Sequence, residues 1–345
     1  EPRTASVEKK LETLELLTEN NIPTGVMVAP IIPGLNSHEI PSIVKKVAEL
    51  GALSIGYTTV RLNREIAEIF EHWVRKTYPD KYLDLGIAEQ NLIGVAAGLS
   101  SEGYNVITTT FAPFQTIRCC EQIKVNIGYM KQKVCMVGIA SGLALGNLGF
   151  THCCIEDIGI LRTIPGMTII SPSDSLETVK ALEASVKSDA SIYIRLTGSS
   201  NNPIVNNGDY KFEIGKSIQL REGKDVTIFS AGAMVYNCLE AAKKLKEKNI
   251  SCSVINMHTI KPIDKEAINK ASNESKIIVS VEEHNIIGGL GSAIAEYKAT
   301  LSNSPKQVII GVDDTYSKGG SYTFLQEKHG LTSDKIVDNI LQNLI

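Results

Sequence analysis

Apolar residues recur every three or four positions at the start of the chain. Leu11, Leu14 and Leu17 fall on one face, which predicts a helix over residues 7–19 that Asn20-Asn21 ends. An apolar run predicts a strand at 22–28, and Pro30, Pro33, Gly34 and Asn36 mark a turn-rich loop. Ser37 is placed to cap a helix over 38–50, which Gly51 closes before a strand at 53–60. Ile66, Ile69, Phe70 and Trp73 line one side of a further helix over 64–76.

From residue 82 the pattern changes to short apolar runs alternating with helical periods. Strands are predicted at 82–86, 105–110, 133–139, 167–171 and 191–196, and helices at 90–101, 115–128, 155–163 and 175–187. Thr197 to Asp209 is rich in Gly, Ser, Asn and Pro and reads as a linker. A second alternating series follows, with strands at 225–230, 251–256, 276–281 and 306–310. Its helices fall at 234–248, 264–273, 289–301 and 332–343. This rhythm predicts an α/β protein with two parallel-sheet α/β domains, each sheet covered on both faces. No solenoid repeat or low-complexity tract interrupts it.

Composition narrows the function classes. The 345 residues allow two or three domains, and 43% hydrophobic with 21% charged residues is ordinary for a globular protein. A net charge of -3 offers no electrostatic case for nucleic acid or an anionic membrane. No apolar run reaches the ~18–20 residues a membrane span needs. The charged start, Glu1 to Glu19, does not read as a secretory signal. Seven cysteines, two pairs of them adjacent and none spaced C-x-x-C, read as reduced thiols of a cytoplasmic protein.

Candidate chemistry begins at Gly86-Ile87-Ala88-Glu89-Gln90-Asn91, between a predicted strand and a predicted helix. Ligands gather at such turns in open parallel sheets. On these residues alone Glu89 is equally well an acid favoured by the helix dipole. Three further stretches follow in order. They are Phe111-Ala112-Pro113-Phe114, then Gly146-Asn147-Leu148-Gly149-Phe150-Thr151-His152 with Ile155-Glu156-Asp157, then Ile164-Pro165-Gly166-Met167. Met257-His258-Thr259-Ile260-Lys261-Pro262 and Glu282-Glu283-His284 before Gly288-Gly289-Leu290-Gly291-Ser292 come later.

In this order and spacing, residues 78–345 resemble the transketolase superfamily of thiamine diphosphate enzymes, most of all the separate C-terminal subunit of a split transketolase. The resemblance implies a pyrimidine-binding domain over 77–200 and a transketolase C-terminal domain over 210–345. Residues 1–76 resemble something else. Val26 to Asn36, with Glu1-Pro2-Arg3-Thr4 before it, looks like the later half of a radical S-adenosylmethionine barrel related to spore photoproduct lyase, an α/β barrel-derived fragment. That chemistry needs a C-x-x-x-C-x-x-C cluster motif, and residues 1–118 contain no cysteine. No radical chemistry is therefore expected. The segment is expected instead to substitute for the missing opening of the pyrimidine-binding domain, or to be a recombination relic.

The resemblance also implies roles. Glu89 would be the carboxylate that hydrogen-bonds the aminopyrimidine ring nitrogen of thiamine diphosphate, its apolar neighbours favouring a shareable proton. Phe111 and Phe114 would line the aminopyrimidine pocket, with Phe114 stacking on the ring. His152 would contact the donor sugar, and Arg195, like Arg162, is a possible anion partner. Three family residues are replaced: Leu148 and Ala140 stand where an aspartate and a histidine are usual, and Gly198 where an arginine is frequent. Ile117 replaces a common tyrosine. The sugar hydroxyl and phosphate contacts of the usual substrates are thereby lost.

Mg²⁺ and the diphosphate need a Gly-Asp-Gly motif, and Gly208-Asp209-Tyr210 lacks the second glycine. The glycines at 288–291 read as a tight interdomain turn, or else as an anion site. The chain is thus expected to be half an active site. It would be completed by a diphosphate-binding N-terminal transketolase subunit that holds Mg²⁺, and it would self-associate. The expected reaction transfers a two-carbon ketol unit between small sugars. The alternatives are a deoxyxylulose-phosphate synthase-like role, a 2-oxo acid dehydrogenase beta-like role, or a non-catalytic scaffold.

Overall fold

The computed structural model describes residues 7–22, 24–31, 40–50, 54–59, 81–198, 202–206 and 210–344. The chain divides into two units, Glu1–Leu83 and Asp84–Ile345.

In the first unit the helix α1 spans Val7–Glu19, and Asn21, at φ 58°, turns the chain out of it. β1 (Gly25–Ile31), α2 (Ile40–Glu49) and β2 (Ser54–Thr59) follow. The two strands pair in parallel, Gly25 opposite Ser54 and Val28 opposite Tyr57. Leu14 of the first helix and Val47 of the second are buried. The Thr18 hydroxyl donates to the Leu50 carbonyl at 2.8 Å and ties the helix ends together. The helix expected at 64–76 lies outside the described residues.

The second unit opens differently from expectation. Residues 82–88 form no strand. Asp84 accepts the Gly86 N–H at 2.9 Å, and Gly86 sits at φ 69°, a left-handed conformation that bends the chain out of extension. α3 (Glu89–Ser101) then leads to β3 (Val106–Phe111). The single helix expected over 115–128 is broken. A turn of helix, α4 (Ala112–Gln115), is followed by α5 (Cys120–Gln122) and a π-helix over Ile123–Tyr129. Pro113 fits only the first turn, where its missing N–H costs nothing. π-Helical stretches are frequent at functional sites.

β4 (Val134–Ser141), α6 (Asp157–Arg162), β5 (Met167–Ile170), α7 (Ser175–Lys187) and β6 (Ser191–Thr197) complete the first half of this unit. Asp174 caps α7 by accepting the Glu177 N–H, and its other oxygen accepts from Val205 N, so the cap also holds the linker. The second half contains β7 (Ile218–Arg221), β8 (Val226–Ser230), α8 (Met234–Glu247), β9 (Cys252–Asn256) and β10 (Thr259–Lys261). It continues with α9 (Lys265–Glu274), β11 (Ile277–Asn285), α10 (Leu290–Lys298), β12 (Lys306–Val312), α11 (Tyr322–Lys328) and α12 (Ser333–Asn343).

Two five-stranded sheets result, in the orders β10-β5-β6-β4-β3 and β12-β11-β8-β9-β7. Each is parallel except at one edge, where β10 and β7 run antiparallel. β4, β8 and β11 are buried along nearly their whole length, as strands of a sheet covered on both faces require, while the edge strand β3 is buried only at Thr108. Neither antiparallel edge strand was expected. β10 comes from the second half yet pairs with β5 of the first, Thr259 opposite Ile170. One apolar core, including Ile93, Met136, Leu161, Phe229, Met257 and Leu290, runs through both halves.

Candidate functional site

Glu89 is the first residue of α3, where the helix N-terminus favours a negative charge. It is only 7% exposed. Its carboxylate is not left among apolar groups alone, because Arg118 Nη1 donates to Oε2 at 2.7 Å. Arg118 belongs to the irregular stretch between α4 and α5. Its guanidinium carbon lies over the Phe114 ring, 4.1 Å from the centroid. Phe114 in turn meets Phe111 edge-on at 6.1 Å and His152 edge-on at 5.4 Å. The structure therefore brings Glu89, Phe114, Phe111 and His152 into one chain of contacts, linked through Arg118. Pro113 and the Cys119 thiol, which donates to the Phe114 carbonyl at 3.2 Å, fix this stretch locally. Burial, and then the Glu89 charge, push that thiol up to about 12, so it stays protonated.

His152 sits at the end of a loop that leaves β4 and returns. Gly142 and Cys154 close its neck with two backbone hydrogen bonds of 2.8 and 2.9 Å. The N–H groups of His152 and Cys153 both donate to the Gly149 carbonyl, which turns the imidazole toward Phe114. His152 Nδ1 is 3.0 Å from the Thr151 hydroxyl. Nε2 has no protein hydrogen bond among the described residues. Leu148 is exposed on the same loop, and Ala140 is buried at φ 54° near the end of β4. Left-handed backbone at a non-glycine residue is costly and concentrates at functional sites.

Arg195 is placed elsewhere. It is 2% exposed, and its Nε bonds both oxygens of Asp157 at 3.0 and 2.9 Å. Nη2 donates to the carbonyls of Cys154 and Glu283. Burial opposes the Asp157 charge, but Arg195, with His284, Ser141 and Tyr193, outweighs it and holds the carboxyl below the usual range. Arg162 is likewise engaged, by the Gly288 carbonyl and the Glu296 carboxylate. Neither arginine points a free guanidinium at the Phe114 cluster. Both fasten the two halves of the unit together.

The glycine turn at 288–291 is an interdomain turn whose anion is internal. Glu282 accepts the N–H groups of Leu290 and Gly291 at 2.6 and 2.8 Å. A side chain at Gly289 would collide with that carboxylate. Glu283 accepts from Leu143 N and from the Tyr322 hydroxyl, both at 2.6 Å. Burial raises Glu282 and Glu283 to about 7 and lowers the neighbouring His284 to about 4. The sequence marked Glu282-Glu283-His284 without giving these residues a role, and read the glycines as a tight interdomain turn or else an anion site. Arg118 was missed altogether, because it stands in an irregular stretch that no helical period marks.

These residues fit the aminopyrimidine end of thiamine diphosphate. A nearly buried carboxylate, an aromatic ring joined to it through Arg118 and a histidine at the edge of the same ring suit a flat, basic heterocycle. Gly208 and Asp209 lie outside the described residues. Among the described residues, no three His, Cys, Asp or Glu side chains are grouped to hold a metal ion. No helix there is long and apolar enough to cross a membrane.

Comparison with known proteins places the chain by sequence and fold. The transketolase pyrimidine binding domain matches residues 67–202, and the transketolase C-terminal domain matches residues 215–336. An apulose-4-phosphate transketolase subunit of Phocaeicola vulgatus is 38% identical over 268 residues, 77% of this chain and 85% of that relative. The 6-deoxy-6-sulfo-D-fructose transketolase subunit SqwH of a Clostridium species is 39% identical over 259 residues, 75% of this chain and 80% of the relative. A solved split-gene transketolase, described as an inactive beta4 tetramer, superposes with a TM-score of 0.72 at 31% identity. That superposition covers 98% of this chain and 97% of the other. With its two matched domains and its Glu89–Phe114–His152 cluster, this chain belongs to the transketolase family.

Proposed function

We propose that this chain is the pyrimidine-binding and C-terminal subunit of a two-subunit transketolase, transferring a two-carbon ketol unit between a ketose and an aldose. The observation that carries the proposal is the linkage of Glu89 to Phe114 through Arg118, beside apolar side chains that are left exposed. Ile87, two residues before Glu89, is 88% exposed, and Ile117, one residue before Arg118, is exposed as well. Apolar side chains left bare beside a nearly buried carboxylate suit a site that another subunit covers. The relatives named as transketolase subunits, and the split-gene enzyme solved as an inactive beta4 tetramer, support a need for a second kind of subunit. We assign the diphosphate and its Mg²⁺ to that partner, and self-association to this chain.

Thiamine diphosphate, when bound, supplies the carbon nucleophile that carries the two-carbon unit. Glu89 holds the pyrimidine ring nitrogen and shares a proton there. Phe114 offers a flat face to the ring, and Phe111 supports Phe114 edge-on. His152, its Nδ1 held beside Thr151, presents Nε2 to an oxygen of the donor sugar. Leu148 and Ala140 remove polar contacts from the substrate side, which favours sugars recognised otherwise than by the usual phosphate. Residues 1–76 are taken to stand in for the opening of the pyrimidine-binding domain, since they supply a parallel β1-α2-β2 unit.

The test is a thiamine diphosphate titration with Mg²⁺, followed by circular dichroism, on this chain alone and mixed with a diphosphate-binding transketolase subunit of the same source. Saturable binding only in the mixture is expected. Tight binding by the chain alone would overturn the half-site reading. Silence in both would favour a scaffold.

A further inference from the structure

The strongest unassigned feature is the place Arg118 occupies. Its guanidinium touches the two groups proposed to receive the aminopyrimidine, the Glu89 carboxylate at 2.7 Å and the Phe114 face at 4.1 Å. A guanidinium is planar, donates in its plane and stacks through its face. An aminopyrimidine ring is also flat, and would meet the same carboxylate in its plane and the same ring through its face. The contacts to Glu89 and to Phe114 are therefore made in the free chain by a side chain of similar flat, in-plane-donating shape.

The energetics explain why such a side chain is present. A carboxylate as buried as Glu89 is costly without a counter-charge or donor. The Arg118 side chain is 44% exposed against 8% for Glu89, so the arginine reaches in from the solvent side. Its backbone is pinned, because Gln90 Nε2 donates to the Arg118 carbonyl at 3.3 Å.

We propose that Arg118 is a placeholder: it holds Glu89 and covers Phe114 until the cofactor's aminopyrimidine arrives, and it must swing out for the cofactor to seat. The proposal rests on the cofactor reading above. It makes Arg118 a positioning residue whose contacts compete with the cofactor.

The experiment titrates thiamine diphosphate with Mg²⁺ into the two-subunit assembly, read by circular dichroism, for wild type, Arg118→Met and Arg118→Lys. Methionine keeps the stem and removes the competitor. The expected result is tighter apparent binding by about fivefold, the factor for losing one partly exposed ion pair and one cation–π contact. Lysine keeps the charge without the flat face and should fall between. Unchanged or weaker binding in both variants, with saturable wild-type binding, overturns the placeholder alone. An Arg118→Met chain that fails to assemble leaves the decision to Arg118→Lys, which must then bind more tightly than wild type. No saturable signal in the wild-type assembly overturns the cofactor reading and the placeholder with it.

Discussion

The carboxylate of Glu283 accepts the backbone N–H of Leu143 at 2.6 Å, reaching from β11 to the loop that ends in His152. Its second oxygen accepts the Tyr322 hydroxyl. The same loop is held at Gly146, whose carbonyl accepts Gly320 N at 2.9 Å. The C-terminal half thus grips the loop that carries His152. Replacing Glu283 with alanine strands two buried donors, at a cost of about 3 kcal/mol. A lowered urea midpoint together with a raised KM is expected. An unchanged KM would separate the grip from the site.

Burial lifts the Glu283 carboxyl from 4.5 to about 7, so the folded protein holds this proton more tightly than the unfolded chain. The group's contribution to stability is complete below pH 4.5 and is lost as pH rises through about 7. Glu282 acts in the same direction, while His284 and His258, lowered to about 4, act in the opposite one. Comparison with Glu283→Gln isolates one contribution. The stability of wild type minus variant should fall between about pH 5 and 7, by an amount on the order of 1–3 kcal/mol. A difference that does not change with pH in urea unfolding would refute this.

Changing Glu89 to glutamine keeps the size and removes the carboxylate. In the two-subunit assembly turnover should drop by about 10²–10⁴-fold, the usual worth of a positioned proton-transfer group. Steady-state kinetics with a ketose donor decide it, and retained turnover would end the catalytic assignment.

Arg195 and Asp157 form a pair with both side chains almost fully buried. Arg195→Met should destabilise by about 3–5 kcal/mol, because the abandoned carboxylate keeps its burial cost. Adding Asp157→Asn should recover part of that loss. If thermal unfolding instead moves little and substrate KM rises, Arg195 serves the substrate after all.

Limited proteolysis tests the role of the first unit. If residues 1–76 substitute for the lost domain opening, the chain should resist cleavage near residue 80. Rapid clean cutting there, leaving a stable larger fragment, would mark them as a relic.

Much of the fold was legible because parallel strands buried on both faces write themselves as apolar runs. The helix at Ser175–Lys187 was read to the residue, and Asp174 caps its start. The misses have local causes. At 82–86 an apolar run was read as a strand, but the Asp84–Gly86 turn overrides it. β7 and β10 are short antiparallel edges, whose pairing is decided by distant partners. The site followed the same division. Glu89, Phe111, Phe114 and His152 stand on recognisable turns, and they do converge. That Arg195 turns inward to Asp157 depends on packing between residues 38 positions apart, which no local pattern records.

β10 belongs by sequence to the C-terminal half and by hydrogen bonding to the sheet of the other. A chain cut in the linker near residue 205 would leave the first sheet without its edge unless both pieces stayed together. The two halves are therefore separate as sequence matches but joined as folding objects. Exchange of a C-terminal domain between relatives would have to carry a compatible Thr259–Lys261 strand with it. A free pyrimidine-binding half would expose β5 as a raw edge, open to pairing with a neighbour.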